Sequence, residues 1–133
     1  MTLLLDREAI AALEREYSPS SCVPDLTAIL AAYAEKSGIA RQQLQHVVES
    51  YGEAAVERFD YFPAPSTRRS GRPRPVLVYI HGGYWQELSK DEHSFPAIAL
   101  NSHDIGYIAL NYGLAPQASL GQMVERCRRA LAW

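Results

Sequence analysis

The sequence contains little cysteine and no long apolar run. Its 133 residues include two cysteines, Cys22 and Cys127, which lie far apart and match no metal-ligand or redox spacing. No apolar stretch approaches the roughly 20 residues that a membrane helix needs, and the amino terminus becomes acidic at Asp6 before a signal-length run develops. We therefore expect two free thiols in a reducing cytoplasm, no disulfide framework and no membrane partner.

The sequence also has no large excess of charge of either sign. Its 13 lysines and arginines against 15 aspartates and glutamates give a formal net charge of -2, which offers no general attraction to a nucleic acid. One basic cluster lies in a stretch rich in serine, glycine and proline and consists of Arg68, Arg69, Arg72 and Arg74. We interpret this cluster as a solvated loop rather than a binding patch. The composition, 47% hydrophobic and 21% charged, is typical of a globular chain with one core.

Residues 1–50 carry the pattern of two helices. Asp6 is a good N-cap, and apolar residues at helical spacing follow it until Ser18-Pro19 interrupts the pattern. Pro24 can occupy the first turn of a second helix, whose apolar stripe weakens near Gly38. The apolar positions are Ile10, Leu13 and Tyr17 in the first helix and Leu26, Ile29, Leu30 and Tyr33 in the second. We interpret this segment as a helical cap.

Residues 51–133 alternate between extended and helical patterns. The run Val56–Phe62, ended by Pro63 and Pro65, predicts a strand with one wet face near a sheet edge. The run Val76–Ile80 is five β-formers in succession, which predicts a strand buried on both faces of a parallel sheet. The remaining predicted elements are a helix over Asp91–Leu100, a strand over Ile105–Leu110 and a helix over Leu120–Trp133. This order implies right-handed parallel crossovers and the core of an α/β fold.

A short glycine motif, His81-Gly82-Gly83, begins where the Val76–Ile80 run ends. The carboxyl ends of parallel strands are where ligands bind, and two consecutive glycines let backbone amides approach a ligand closely. In acyl transfer, each amide aimed at the developing oxyanion contributes roughly 2.7–4 kcal/mol. The candidate donors are the amides of Gly82, Gly83 and Tyr84; the alternative interpretation is a plain tight turn.

The wider motif resembles a known family. His81-Gly82-Gly83-Tyr84-Trp85, followed by Gln86, Leu88 and Lys90, is similar to the oxyanion loop of the α/β-hydrolases, and within them to the group of kynurenine formamidases (arylformamidases) and carboxylesterases. Asn111–Pro116 resembles the segment after the fourth strand of that family, and Ser18–Ser20 resembles its amino-terminal region. Relatives commonly carry arginine where this sequence has Gly113, which predicts a looser loop there.

The resemblance implies a serine-nucleophile hydrolase of carboxylic esters or aryl formamides that needs no cofactor. It makes His81 a structural residue of the loop. Tyr84 and Trp85 are candidates for lining a pocket that takes an aromatic acyl or amide substrate, and the alternative is that Trp85 packs beneath the loop.

One part of the family mechanism has no counterpart in the sequence. The mechanism needs a serine on a G-x-S-x-G elbow, followed by an acid and a histidine, and the 133 residues contain no such elbow. We therefore expect a parallel-sheet α/β-hydrolase fold truncated before the elbow strand, which supplies the oxyanion loop and is inactive alone. The alternative is a non-catalytic fragment that pairs with a complementing carboxyl-terminal chain or with itself.

The other polar candidates have ordinary interpretations. His93 and His103 flank a predicted helix and are expected at the surface, and Asp91 with Glu92 suits the first turn of that helix. Asp104 precedes a strand, where it can cap a turn. No metal-ligand cluster emerges, and three tyrosines have no spacing that assigns them to a site or to the core: Tyr33, Tyr51 and Tyr112.

Overall fold

The computed structural model describes residues 6–65 and 73–133. The predicted solvated loop at Arg68, Arg69 and Arg72 lies outside the described residues. The chain forms two compact units, Met1–Ala31 and Ala32–Trp133. The predicted division into a cap over 1–50 and a core over 51–133 stays a prediction. None of the described helices combines the length and the apolar character needed to cross a membrane.

The first two predicted helices are present. Helix α1 spans Arg7–Tyr17, and the Asp6 carboxylate caps it by accepting a hydrogen bond from the amide of Ala9 at 2.7 Å. Helix α2 spans Leu26–Gln43 and is longer than its apolar stripe suggests, because the backbone continues through Gly38. Pro24 lies in the preceding turn rather than in the helix, since the carboxylate of Asp25 accepts from the helix amide of Ala28 at 2.8 Å.

Four strands form one mixed sheet in the order β1-β2-β4-β3. The strands are β1 (Val47–Ser50), β2 (Arg58–Phe62), β3 (Val76–Ile80) and β4 (Gly106–Leu110). The pairs β1–β2 and β2–β4 are antiparallel, whereas β3 and β4 are parallel. The predicted α/β fold is confirmed. The short strand β1 was not predicted, because its four residues carry no distinct alternating pattern and lie in the segment interpreted as helical.

Strand β2 lies next to the edge strand β1 of the described sheet, but the prediction that one of its faces is wet is wrong. It pairs with β1 on one side and with β4 on the other, and helices lie over both faces, so Phe59, Asp60 and Phe62 are buried. The polar residue at position 60 suggested a wet face. Asp60 is instead a buried charge with its own partners.

Strand β3 is one of the two edge strands of the described sheet, and the prediction that both of its faces are buried is wrong. Val76 and Ile80 expose 43% and 46% of their surface, and β4 is the one neighbour of β3 among the described strands. A continuous run of β-formers carries no information about which strand lies at an edge.

The predicted helix over Asp91–Leu100 is divided in two. A 3-10 turn over Lys90–Glu92 is closed by a capping box between Ser89 and Glu92, and helix α3 begins afresh at Pro96 and runs to Ser102. Proline lacks the amide that would continue the earlier turn, and its ring suits the first position of a helix. Helix α4, Leu120–Ala132, agrees with its prediction and is capped by Ser119.

Side chains alternate between the two faces of the sheet. On the face covered by α3, the buried cluster is Phe62, Ala97, Tyr107 and Ala109, with Leu44 and Leu100 packed against it. On the face covered by α4, the cluster is Tyr51, Phe59 and Leu110, with Tyr61, Ile108, Cys127 and Ala130 packed against it. The strand period of two thus places the residues of one strand in two separate cores.

A buried carboxylate joins β2 to the segment before α3. Asp60 is fully buried, and its carboxylate lies 2.9 Å from the Lys90 ammonium and 3.6 Å from the Arg41 guanidinium. The Ser94 hydroxyl donates to the same carboxylate at 3.1 Å. Burial favours the uncharged form of Lys90, but its bonds to Asp91 and Asp60 outweigh this and raise the pKa of Lys90.

A second buried carboxylate joins α4 to the start of β2. Glu57 is 5% exposed and accepts a hydrogen bond from the amide of Ala54 at 3.0 Å. Arg126 lies 3.4 Å from its carboxylate, and Arg129 donates to it. The Ala54 amide and these guanidinium groups together hold the pKa of Glu57 below its ordinary value, against the opposing effect of burial.

We predict that Asp60→Asn lowers the free energy of unfolding by about 3 kcal/mol, because it leaves two cations facing a neutral amide in a buried site. Urea denaturation measures this change. Asp91→Asn is the control, since the Asp91 side chain is 60% exposed in its ion pair with Lys90 and should cost under about 1 kcal/mol. Equal losses in the two variants would contradict a structural role for the buried carboxylate.

We also predict that the stabilisation by Glu57 depends on pH. A carboxyl group whose pKa is lower in the folded chain stabilises it fully above the unfolded pKa of about 4.3, and this stabilisation disappears as the pH falls through the folded value. The difference in unfolding free energy between the wild type and Glu57→Gln should therefore shrink between about pH 5 and pH 3. Exposed Glu53→Gln serves as the control, and a difference that does not change over this range contradicts the prediction.

Candidate active site

The segment after β3 has an unusual backbone. Gly83, Tyr84 and Trp85 have φ values of 106°, 53° and 61°, so three consecutive residues lie in the left-handed region. A Cβ at Gly83 would collide with the carbonyl of Glu87, whereas a Cβ at Gly82 would meet open space. Of the two glycines in the motif, Gly83 is therefore the one that the loop geometry requires.

Hydrogen bonds occupy two consecutive carbonyl groups of the loop. The Gly82 carbonyl accepts from Nδ1 of His81 at 2.7 Å, and the Gly83 carbonyl accepts from the amides of Gln86 and Glu87, both at 3.0 Å. The C=O and N–H of one peptide unit point in opposite directions, so these bonds also direct the amides of Gly83 and Tyr84.

The three predicted donor amides are consecutive in this loop, and their role as oxyanion donors stays a prediction. Within the described part of the chain, the amides of Gly82, Gly83 and Tyr84 donate to no hydrogen-bond acceptor. Backbone amides usually have a partner in the folded protein or in solvent. Three neighbouring amides are thus left available to an acceptor that comes from outside these residues.

The His81 ring is held in a stack at the start of the loop. Its exposed fraction is 4%, and its centroid lies 4.6 Å from that of Tyr112 and 5.7 Å from that of His93. The Gly82 carbonyl can only accept, so the hydrogen bond requires the proton on Nδ1. Burial, together with the nearby His93, lowers the pKa of His81.

His93 is buried, contrary to the prediction that it lies at the surface. It is 7% exposed, its Nδ1 lies 2.8 Å from the Ser89 carbonyl, and its ring stacks on Tyr79 at 5.3 Å. The reason is the division of the predicted helix, which places residue 93 between the 3-10 turn and α3, facing the sheet. His103 is exposed as predicted.

The segment Asn111–Pro116, which follows β4, is bonded to the motif loop at several points. The Tyr112 hydroxyl donates to the His81 carbonyl at 2.8 Å, and the Ala115 amide donates to the Trp85 carbonyl at 2.7 Å. The Asn111 side chain accepts from the amide of Lys90 at 2.7 Å. Sequence patterns did not assign these contacts, because each joins residues more than ten positions apart.

Gly113 has a guanidinium group beside it even though it carries no side chain. Its φ is 85°, and the space that a Cβ would take is filled by Arg126 of α4. Arg126 also lies within 3.4 Å of the Tyr112 carbonyl. The predicted looseness of this segment stays a prediction, but a long side chain with several donors is present there, supplied by a helix instead of by position 113.

The two aromatic residues of the motif have different surroundings. Trp85 is half exposed and forms part of the wall of a cleft of about 480 Å³, so it does not pack beneath the loop. Tyr84 is 68% exposed and is not among the residues that line this cleft. Other lining residues are Ile80, His81, Tyr112, Met123, Val124 and Leu131. Their assignment as substrate-binding residues stays a prediction.

Two further expectations concern Asp104, which is expected to cap a turn, and a cluster of metal ligands, for which the sequence shows no pattern. Arg74 and Asp104 form an ion pair at 3.3 Å, which ties the turn before β4 to the residues preceding β3. Across residues 6–65 and 73–133, no three His, Cys, Asp or Glu side chains lie together as metal ligands would.

Comparison with curated proteins finds hydrolases. The chain is 39% identical over 127 residues to the kynurenine formamidase of Danio rerio and 33% identical over 126 residues to that of Salmo salar. Each match covers 90% of this chain and 42% of the relative, so the chain spans about two fifths of these relatives. A third match, 26% identical and covering 78% of this chain and 9% of the relative, is the hormone-sensitive lipase of Homo sapiens.

Solved structures show the same fold, although no family model matches the sequence. A proposed thioesterase from Silicibacter sp. TM1040 superposes with a TM-score of 0.77 and 24% identity, over 87% of this chain and 44% of that one. Esterase B from Lactobacillus rhamnosis superposes with a TM-score of 0.60 and 19% identity, over 80% of this chain and 36% of that one. From its sheet order, its glycine loop and these similarities, the chain has the α/β-hydrolase fold and resembles in sequence the group of kynurenine formamidases and esterases.

Proposed function

We propose that residues 81–85 supply the oxyanion-stabilising amides of a serine hydrolase that acts on carboxylic esters or aryl formamides. The observation that carries the proposal is the set of three adjacent amides, at Gly82, Gly83 and Tyr84, that have no acceptor among the described residues. Hydrogen bonds to the carbonyls of His81, Gly82 and Gly83 set the orientation of these amides before an acceptor arrives, which supports the proposal.

The proposed chemistry is the stabilisation of a tetrahedral intermediate. The serine oxygen bonds to the acyl carbon while the histidine of the family mechanism takes its proton, and the carbonyl π electrons move onto the carbonyl oxygen, which becomes an anion. The amides donate to this anion, each contributing roughly 2.7–4 kcal/mol. The intermediate then collapses, the histidine gives the proton to the departing alcohol or arylamine, and water releases the acyl group from the serine. The G-x-S-x-G elbow that would present the serine is not in these 133 residues.

The role proposed for His81 is to orient the loop. Its Nδ1 donates to the Gly82 carbonyl, and its ring stacks on the rings of Tyr112 and His93. A general base must reach the proton that it removes, and this ring is instead held against its own loop.

The substrate class proposed is a small molecule with an aromatic acyl or N-formyl group. Trp85 and the apolar cleft beside it offer an aromatic wall next to the loop. Esters and formamides develop the same oxyanion, so the loop serves both. The free thiols of Cys22 and Cys127 are consistent with the proposed cytoplasmic location.

The test uses a chimera in which this chain replaces the matched segment of the Danio rerio kynurenine formamidase. We expect turnover of an aryl ester and of an N-formyl aromatic amide. Gly83→Ala should lower kcat by about 10²–10³ with little change in KM, because the added Cβ collides with the Glu87 carbonyl and misdirects the amides. Steady-state kinetics measures both constants.

Two controls accompany the chimera. Gly121→Ala makes the same chemical change in α4, where the new Cβ makes an ordinary contact, and should leave both constants unchanged. The 133-residue chain alone should show no turnover above its own Gly83→Trp variant. An unaltered kcat in Gly83→Ala, or turnover by the chain alone together with labelling by a serine reagent, contradicts the proposal.

A second, non-catalytic role is favoured by one surface. Among the described strands β3 has a neighbour on one side alone, and the cleft that its residue Ile80 lines also includes three apolar residues that are more than half exposed, namely Leu120, Val124 and Leu131. Unpaired strand edges and large apolar patches favour association. We propose that a polypeptide adds a strand to β3 and covers this patch, supplied either by a complementing carboxyl-terminal chain or by a second copy.

We predict that Val124→Glu abolishes this association, because it places a charge in the apolar patch. Sedimentation velocity measures the mass of the chain alone and after addition of the remaining segment of the Danio rerio relative. Val48→Glu is the matched control, since Val48 is a 52% exposed valine on β1 at the opposite edge of the sheet. A chain that stays monomeric under both conditions contradicts the proposal.

A further inference from the structure

Tyr112 makes a contact that the sequence did not predict. It is 4% exposed, its ring stacks on His81 at 4.6 Å, and its hydroxyl donates to the His81 carbonyl at 2.8 Å. Burial raises the pKa of Tyr112, so the hydroxyl keeps the proton that this bond needs.

The bonded carbonyl shares a peptide unit with the first candidate donor. The C=O of His81 and the N–H of Gly82 lie in one rigid plane and point in opposite directions. A hydroxyl that holds the carbonyl therefore also determines where the amide points. The amides of Gly83 and Tyr84 are directed in the same way by bonds from within residues 81–87, whereas Gly82 depends on a side chain from another segment.

We infer that Tyr112 is a positioning residue, whose hydroxyl holds the His81 carbonyl and thereby aims the amide of Gly82 at the substrate oxyanion. The identity of the acceptor rests on the proposed function, whereas the orientation of the amide rests on the geometry alone.

A second tyrosine provides an internal comparison. Tyr107 is fully buried, and its hydroxyl donates to the His93 carbonyl at 2.6 Å. By the same rule it directs the amide of Ser94, which donates to the Ser37 hydroxyl at 3.0 Å. The amide directed by Tyr107 thus has a partner inside the protein, whereas the one directed by Tyr112 has none among the described residues. Tyr112 therefore prepares an amide for an acceptor that arrives from outside.

The experiment compares Tyr112→Phe with Tyr107→Phe in the 15N-labelled 133-residue chain. Each variant removes one buried hydroxyl and leaves the ring. We expect the 15N order parameter of the Gly82 amide to fall from the rigid range, about 0.85, to below about 0.6 in Tyr112→Phe alone. In Tyr107→Phe the resonance of the Ser94 amide should shift while that of Gly82 stays unchanged. A general loss of stability would affect the two variants alike.

A second measurement covers the case in which Tyr112→Phe does not fold. Fluorotyrosine labelling of the unaltered chain makes each phenol a stronger donor and should shift the 13C resonance of the His81 carbonyl. An unperturbed Gly82 amide in a folded Tyr112→Phe, or an unshifted His81 carbonyl in the labelled chain, overturns the inference. A loosened Gly82 amide together with full kcat in the Gly83→Ala chimera supports the positioning and refutes the proposed function instead.

Discussion

Parallel pairing of β3 with β4 is the constraint on which the site depends. The register places Ile80 opposite Leu110, so the segments that follow the two strands leave the sheet side by side. His81 and Tyr112 are 31 positions apart in the sequence and yet share a hydrogen bond. In an antiparallel pair, the carboxyl ends of the two strands lie at opposite ends of the strands. The segments that follow β3 and β4 would then leave the sheet on opposite sides.

Two buried carboxylates hold in place the residues around the segments that follow β3 and β4. Asp60 fixes the turn that carries Lys90 to the sheet, and the amide of Lys90 in turn fixes the side chain of Asn111. Glu57 gathers Arg126 and Arg129 from α4, and Arg126 occupies the space beside Gly113. Both carboxylates lie in β2 or directly before it. Strand β2 therefore anchors both the segment that follows β3 and the segment that follows β4.

Peptide geometry connects this scaffold to the proposed chemistry. Because a peptide unit is planar, its C=O and its N–H have a fixed relative direction. A hydrogen bond to the carbonyl therefore also sets the direction of the amide, which stays available to another acceptor. The site uses this relation three times in succession, with donors from Tyr112, from the His81 ring and from the amides of Gln86 and Glu87. Amides that are held before substrate arrives need little reorganisation during the reaction, which is the property that makes oxyanion stabilisation effective.

The sequence by itself determined the fold class, most of the helices and strands and the position of the glycine loop, because these depend on local periodicity, capping residues and backbone freedom. Asp6 caps a helix by bonding an amide three residues away, and Gly83 permits a turn because its own backbone can take a positive φ. The sequence did not determine that β3 lies at an edge of the described sheet, that Asp60 and His93 are buried, or that the Tyr112 hydroxyl donates to the His81 carbonyl. Only the tertiary structure decided these, because strand order and the burial of a polar group depend on partners far away in the chain, and no local pattern records which partner a side chain meets.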